Sequence, residues 1–250
     1  MKKIFSRILS LVLIGIGFVS TAQNESLDRL RADLMLHKSR RADIRAAAAA
    51  ENYLYFSGGI LPSETSDGID KNLALGEDLF TAMEFFIRDM QMSQHTALSG
   101  YWHHLRHKTV HTYRKGDARK ISENVEELHR RTGEFTRTLI RDFGLKNTAE
   151  DLWKWKSLYY THALSLTYMA ALLEPSPYFE MRLSEKIDTY SRLLDGLNRF
   201  IDSRADNSYD WQRVKEAMIR FFQLIQQGEK DPEKIYEASG RIHRLLIQHP

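Results

Sequence analysis

Apolar residues recur at three- and four-residue spacing along almost the whole chain, while alternating runs bounded by turns, the mark of half-buried strands, are hard to find. The pattern predicts an all-α protein, an irregular multi-helix bundle of about six to eight helices. A first long helix is expected from Leu27, Leu30 and Leu34 through Ile44 and the alanines Ala46 to Ala50, stopping at Ser57-Gly58-Gly59. Its alanines would let a neighbouring helix approach closely. Residues 57–69, SGGILPSETSDGI, are rich in glycine and proline and are expected to form a long irregular loop. A second helix is expected from near Asp70 to about Ser99-Gly100, with Leu75, Leu79, Met83, Phe86 and Met90 on its stripe. The segment from Gly100 to Gly116 then continues it or forms a further helix. Asp117 is placed to cap the next one, whose seam Ile121, Val125, Leu128, Thr132, Phe135 and Leu139 ends at Phe143-Gly144.

The helix from about Asn147 to Leu173 carries Leu152, Trp155, Tyr159, Leu166, Met169 and Leu173 on one stripe, but from Leu158 onward it is apolar or aromatic nearly all round. Such a helix belongs in the middle of a bundle. Pro175 and Pro177 end it, because proline lacks the N–H and disfavours helix in the residue before it. Three amphipathic helices complete the pattern. Their seams are Phe179, Leu183, Ile187, Tyr190, Leu194, Leu197 and Ile201; then Trp211, Val214, Met218, Phe221 and Ile225; then Ile235, Ala238, Ile242 and Leu245, starting at Asp231-Pro232. No solenoid repeat is evident.

The first 22 residues change how the charge reads. Lys2, Lys3 and Arg7 precede an apolar run from Ile8 to Val19 and the small residues Ser20-Thr21-Ala22, the grammar of a secretory signal peptide cut near Ala22. The run is short of the roughly 20 apolar residues a membrane span needs, so the mature chain, 23–250, is expected to be a single exported α-helical domain, periplasmic or secreted, with no membrane span. That segment holds three of the 36 Lys+Arg and none of the 33 Asp+Glu, so the mature balance is 33 against 33. A neutral chain is a poor polyanion binder, and no nucleic acid partner is expected. With 42% apolar and 11% aromatic residues, disorder is excluded. With no cysteine, the fold rests on burial alone, and thiol catalysis, iron–sulfur clusters, cysteine-zinc sites and c-type haem attachment drop out.

Candidate chemistry centres on GYWHHLRHKTVHTYRKGD, Gly100 to Asp117, which holds four of the ten histidines. Relative to His103, a helix places His107 at about 40°, His111 at about 80° and His104 at about 100°, one stripe. The repeated HxxxH spacing of His103, His107 and His111 permits a metal site. Two features oppose it. Trp102, Leu105, Val110 and Tyr113 lie on the far side, so the stripe faces away from the core, and Lys108, Arg114 and Lys115 run along it. Cations repel a divalent ion, so His103, His104, His107, His111, Lys108 and Arg114 read as a solvated or anion-binding face.

Other candidates are dispersed. Glu126 and His129 form one Glu-x-x-His pair, where di-iron bundles need two, and read as a surface ion pair. Glu84 lies beside an apolar stripe, where partial burial would raise its pKa. His95 and His162 fall on apolar faces, with Met90, Met92 and Met169 as possible haem-pocket companions. Trp153, Trp155, Tyr159 and Tyr160 form an aromatic cluster suited to core packing or to an interaction surface. No phosphate loop, nucleophile elbow or HExxH occurs.

These features favour a non-enzymatic binding or protein-interaction module of the cell envelope or medium, with a protein or small-molecule partner and no cofactor. The alternative is a metal- or haem-binding protein using the His103/His107/His111 stripe or buried His95 and His162. A third, weaker reading is a lid-gated hydrolase or lyase using Glu84 and the 57–69 loop.

Overall fold

The computed structural model describes the backbone of residues 2–57, 63–110, 117–204 and 210–247, and the side chains of 25–55, 72–107, 117–204 and 210–247. Its elements are α1 Lys2–Ser57, α2 Ser63–Asp89, a single 3-10 turn Ser93–His95, α3 Ala97–Val110, α4 Asp117–Asp142, α5 Ala149–Leu173, α6 Pro177–Asp202, α7 Trp211–Gln226 and α8 Pro232–Ile247. Among the described residues no strand occurs and eight helices are present, so the protein is an all-α multi-helix bundle.

The long helix α1 is the spine. It packs against α2, α4 and α5, and further along against α3 and α8. Ala42, Ala46, Ala47, Ala49 and Ala50 are buried, and side chains this small let several helices approach one stretch of backbone. Leu27, Leu30 and Leu34 remain exposed. Helix α5 is buried without interruption from Thr161 to Ala170, as a helix apolar all round must be. It touches α1, α4, α6 and α8, while α7 bridges α6 and α8. One contiguous hydrophobic cluster runs through all of them.

The seams read from periodicity in α4 and α7 are buried as expected: Ile121, Val125, Leu128, Thr132, Phe135 and Leu139 in one, Trp211, Val214, Met218, Phe221 and Ile225 in the other. Thr148 caps α5 by accepting from the Asp151 N–H, and Ser176 caps α6 by accepting from Phe179.

Three expectations are corrected. The segment 57–69 is not one long irregular loop, because α2 begins at Ser63. A single glycine such as Gly68 costs a helix only about 1 kcal/mol, which the packing of the rest of α2 outweighs. The second helix does not reach Ser99; it ends at Asp89. There Gln91 adopts φ 55°, its N–H donates to Arg88 O at 3.2 Å, and the Met92 N–H donates to Ile87 O at 2.8 Å. This is the reversed bonding of a Schellman end, made here without glycine. In α8 the buried positions are Ile235, Ser239, Ile242 and Leu246, so the seam is turned by one residue from Ala238 and Leu245.

Close packing of α2 and α3 depends on Gly76. A Cβ there would lie 2.4 Å from Cη2 of Trp102, whose ring is buried, stacks on Phe80 at 4.7 Å and donates from Nε1 to Glu77 at 2.7 Å. Gly100, on α3, has open space where a Cβ would go. Gly76→Ala is therefore expected to destabilise the fold by about 1–3 kcal/mol through overpacking. Gly100→Ala is expected to stabilise it by about 0.5–1 kcal/mol through helix propensity. Urea unfolding of the two variants beside the wild type measures both.

Candidate functional site

Glu51 follows the alanine run on α1 and is 2% exposed. A carboxylate in such a place needs donors on all sides. Ser165 on α5 donates to Oε1 at 2.6 Å, and Ser239 on α8 donates to the same oxygen at 2.5 Å. Oε2 lies 2.6 Å from Nδ1 of His162 on α5. The Nε2 of His162 in turn lies 3.2 Å from Nδ1 of His243 on α8. Three helices are thus tied by one chain of hydrogen bonds, Glu51 to His162 to His243.

The electrostatics follow from burial. Burial works to raise the Glu51 carboxyl, but His162 and the hydrogen bonds from His162, Ser165 and Ser239 outweigh it and hold the group below its ordinary value. Glu51 is therefore ionised and acceptor-only, which puts a hydrogen on Nδ1 of His162. His243 is pushed down to about 4 by burial first, then by His162, Arg45 and Arg244, against the opposing pull of Glu51. It is a neutral imidazole at neutral pH, and its Nδ1 is committed to His162.

His243 forms part of the wall of a cleft of about 760 Å³ that reaches down to Glu51 and His162. Its polar lining is dominated by cations: Arg45, Arg220, Lys234, Arg241 and Arg244 against Glu51 and Glu237. Lys234 is paired with Glu229 at 3.0 Å, and Arg45 donates to Asn72 at 2.8 Å. Arg220, Arg241 and Arg244 are exposed and have no carboxylate partner among the described residues. The arrangement offers a positive rim, a neutral imidazole beneath it and a buried carboxylate behind that. It suits recognition of an anion and movement of a proton.

The residues singled out from sequence fall elsewhere, with one exception. His103, His104 and His107 are exposed on α3, while His111, Arg114 and the side chain of Lys108 lie outside the described residues. Glu77 is a carboxylate that reaches α3, where it serves Trp102 and Arg106. Glu84 is exposed rather than partly buried, because it points off the Phe80–Met83–Ile87 face at the mouth of an apolar recess of about 320 Å³. His95 is buried in the wall of that recess, with Nε2 3.2 Å from Thr138 and its ring edge-on to Phe135. Met92 and Met169 are buried and Met90 partly so. Glu126 and His129 do not pair with each other: Glu126 binds Arg182 and Lys186, and His129 lies 2.5 Å from Asp43 and stacks on Tyr159. Trp153 stacks on Phe200 and Trp155 lies under Arg40, while Tyr159 meets Tyr160 edge-on. His162 is the exception, and both its nitrogens are in use within the chain. No group of three or more His, Asp or Glu is arranged to hold a metal ion among the described residues.

Glu51, Ser165, Ser239 and His243 were not legible as a site. The available signal was polar residues on seams: Ser239 shares a face with Ile235, Ile242 and Leu246, and Glu51 shares one with Ala47 and Leu54. Comparison with known protein families, with characterised proteins and with solved structures gives no match.

The depressed His243 makes stability depend on pH. Between its ordinary value of 6.5 and about 4, the unfolded chain binds a proton that the folded chain does not. Stability is therefore full above pH 6.5 and falls as the pH drops, by up to about 3 kcal/mol from this group. Glu51 adds a further loss once the pH falls below its ordinary 4.5. Urea unfolding from neutral pH down to about pH 4 is expected to show both losses, and His243→Gln is expected to flatten the upper part of the fall.

Proposed function

We propose that this protein is an exported helical-bundle binding module that holds a small anionic ligand in the cleft between α1, α7 and α8. The observation that carries the reading is the joining of a buried Glu51–His162–His243 chain to a rim of arginines without carboxylate partners. Guanidinium groups in a concave site recognise carboxylate, sulfate and phosphate oxygens through paired N–H donors. Export is supported by the basic, apolar and small-residue order of the first 22 residues. No helix is long and apolar enough to cross a membrane among the described residues.

A small anion fits better than a large protein partner or a metal. Trp153 and Trp155, the aromatic candidates for a protein surface, are engaged with Phe200 and Arg40. His103, His104 and His107, exposed on α3, belong to no group of three or more His, Asp or Glu arranged to hold a metal ion among the described residues.

The test is isothermal titration of the purified protein with sulfate and with oxalate, dianions whose charge is constant above about pH 6. Saturable one-to-one binding of at least one of them is expected. Arg241→Ala combined with Arg244→Ala is expected to weaken it at least tenfold, since a charge-assisted hydrogen bond contributes about 1.5–3 kcal/mol. Absence of binding of both anions, or a double variant that binds as the wild type does, refutes the reading.

A further inference from the structure

Resting on that reading of the cleft, we propose that the anion is taken up together with one proton, held on the His162–His243 pair in line with Glu51. The geometry carries it. His162 Nε2 and His243 Nδ1 face each other at 3.2 Å, so only one hydrogen fits between them and the two rings cannot both be imidazolium. His162 Nδ1 donates to Glu51, so whenever its Nε2 carries no hydrogen it accepts from the Nδ1–H of His243. The Nε2 of His243 then carries a lone pair on the side of the ring away from His162. A proton arriving at this Nε2 makes His243 imidazolium, and transfer of its Nδ1 hydrogen to His162 Nε2 carries the charge next to the Glu51 carboxylate. The proton comes from solvent, no covalent bond to the ligand forms, and charge is conserved at each step.

The groups around His243 decide when this happens. Glu51 from α1 and Glu237 from α8 favour the charged form, while Arg45 from α1, Arg220 from α7 and Lys234, Arg241 and Arg244 from α8 oppose it. Tyr236, also on α8, faces the cleft with its ring stacked on Tyr55 at 4.8 Å. Lys234 is already offset by Glu229. With the cleft empty, burial first, then His162, Arg45 and Arg244, keep His243 neutral. An anion seated on the rim cancels the field of those arginines and presents acceptor oxygens to a protonated Nε2. Anion and proton therefore favour each other, and by linkage each raises the affinity of the site for the other by the same factor.

The experiment uses whichever of sulfate and oxalate binds more tightly, so that any proton taken up belongs to the protein. Titration calorimetry at neutral pH in two buffers of unlike protonation enthalpy gives the number of protons absorbed per anion. The wild type is expected to absorb close to one, and to bind about twenty- to a hundredfold more tightly at pH 6 than at pH 8. His243→Gln, which keeps a polar side chain in this half-buried place, is expected to bind the anion through the rim while absorbing almost no proton. In the wild type, the imidazole signals of His162 and His243 are expected to move toward the protonated position on adding the anion, a readout that needs no variant. Anion binding without proton uptake overturns this inference and leaves the anion site standing. Equal uptake in His243→Gln, or imidazole signals that do not move, also overturns it. Failure of the anion to bind refutes the underlying reading instead.

Discussion

The constraint on which this bundle turns is the burial of the Glu51 carboxylate. An isolated carboxylate in a helical interior costs several kcal/mol unless its oxygens meet donors. Here the donors come from residues 111, 114 and 188 positions away in the chain. That requirement sets the rotation of α5, which must turn both His162 and Ser165 toward α1, and the docking of α8, which must present Ser239. It also accounts for the alanines around Glu51. Only with Ala47, Ala49 and Ala50 beside it do α5 and α8 come close enough for a serine hydroxyl to reach. Removing His162 leaves Oε2 without its donor, and removing either serine leaves Oε1 with one, so each loss weakens the joint that ties the three helices.

Helix α1 in fact carries two acid–imidazole pairs eight residues apart, Asp43 with His129 and Glu51 with His162. The comparison separates structure from chemistry. Around Asp43 and His129 the charges satisfy one another: Glu127 bridges Arg130 and Arg131, and Glu126 holds Arg182 and Lys186. Around Glu51 and His162 the inner charge is equally well satisfied, but the outer cations are not, and a second imidazole connects the two layers. A satisfied network rigidifies a fold. An unsatisfied rim over a satisfied floor is what the proposed anion site rests on.

Fold class and most helices were legible in the sequence because burial leaves a period in the pattern. The α4 and α7 seams are examples, and so is the end of α4 at Gly144, where φ is 57° and glycine announces the left-handed turn. The end of α2 was not legible, since the same turn is made by Gln91, whose identity gives no such signal. The α8 seam was misread by one position because Ser239 is polar, and a rule that collects apolar residues passes over a buried serine. The site was missed for the same reason. Periodicity reports that a face is covered but says nothing of which distant residue covers it, so it gives no sign that His162 and His243, 81 residues apart, meet.

The proposed coupling of rim and floor has its physical basis in α8. Within six residues it contributes Ser239 to the carboxylate, His243 to the relay, and Arg241 and Arg244 to the rim. Ser239 and His243 are four apart and share one face, which is the face turned to α5. Arg244 lies back along the same helix over Gly240, where a Cβ would sit 3.5 Å from its guanidinium, so the rim charge is held within the turn that carries the imidazole. In the proposed site an anion at those arginines acts on His243, whose ring is partly buried, where charges are felt more strongly than in bulk water. No conformational change is needed for the floor to sense the rim. One short helix, fixed in register by a buried serine, places both in each other's field.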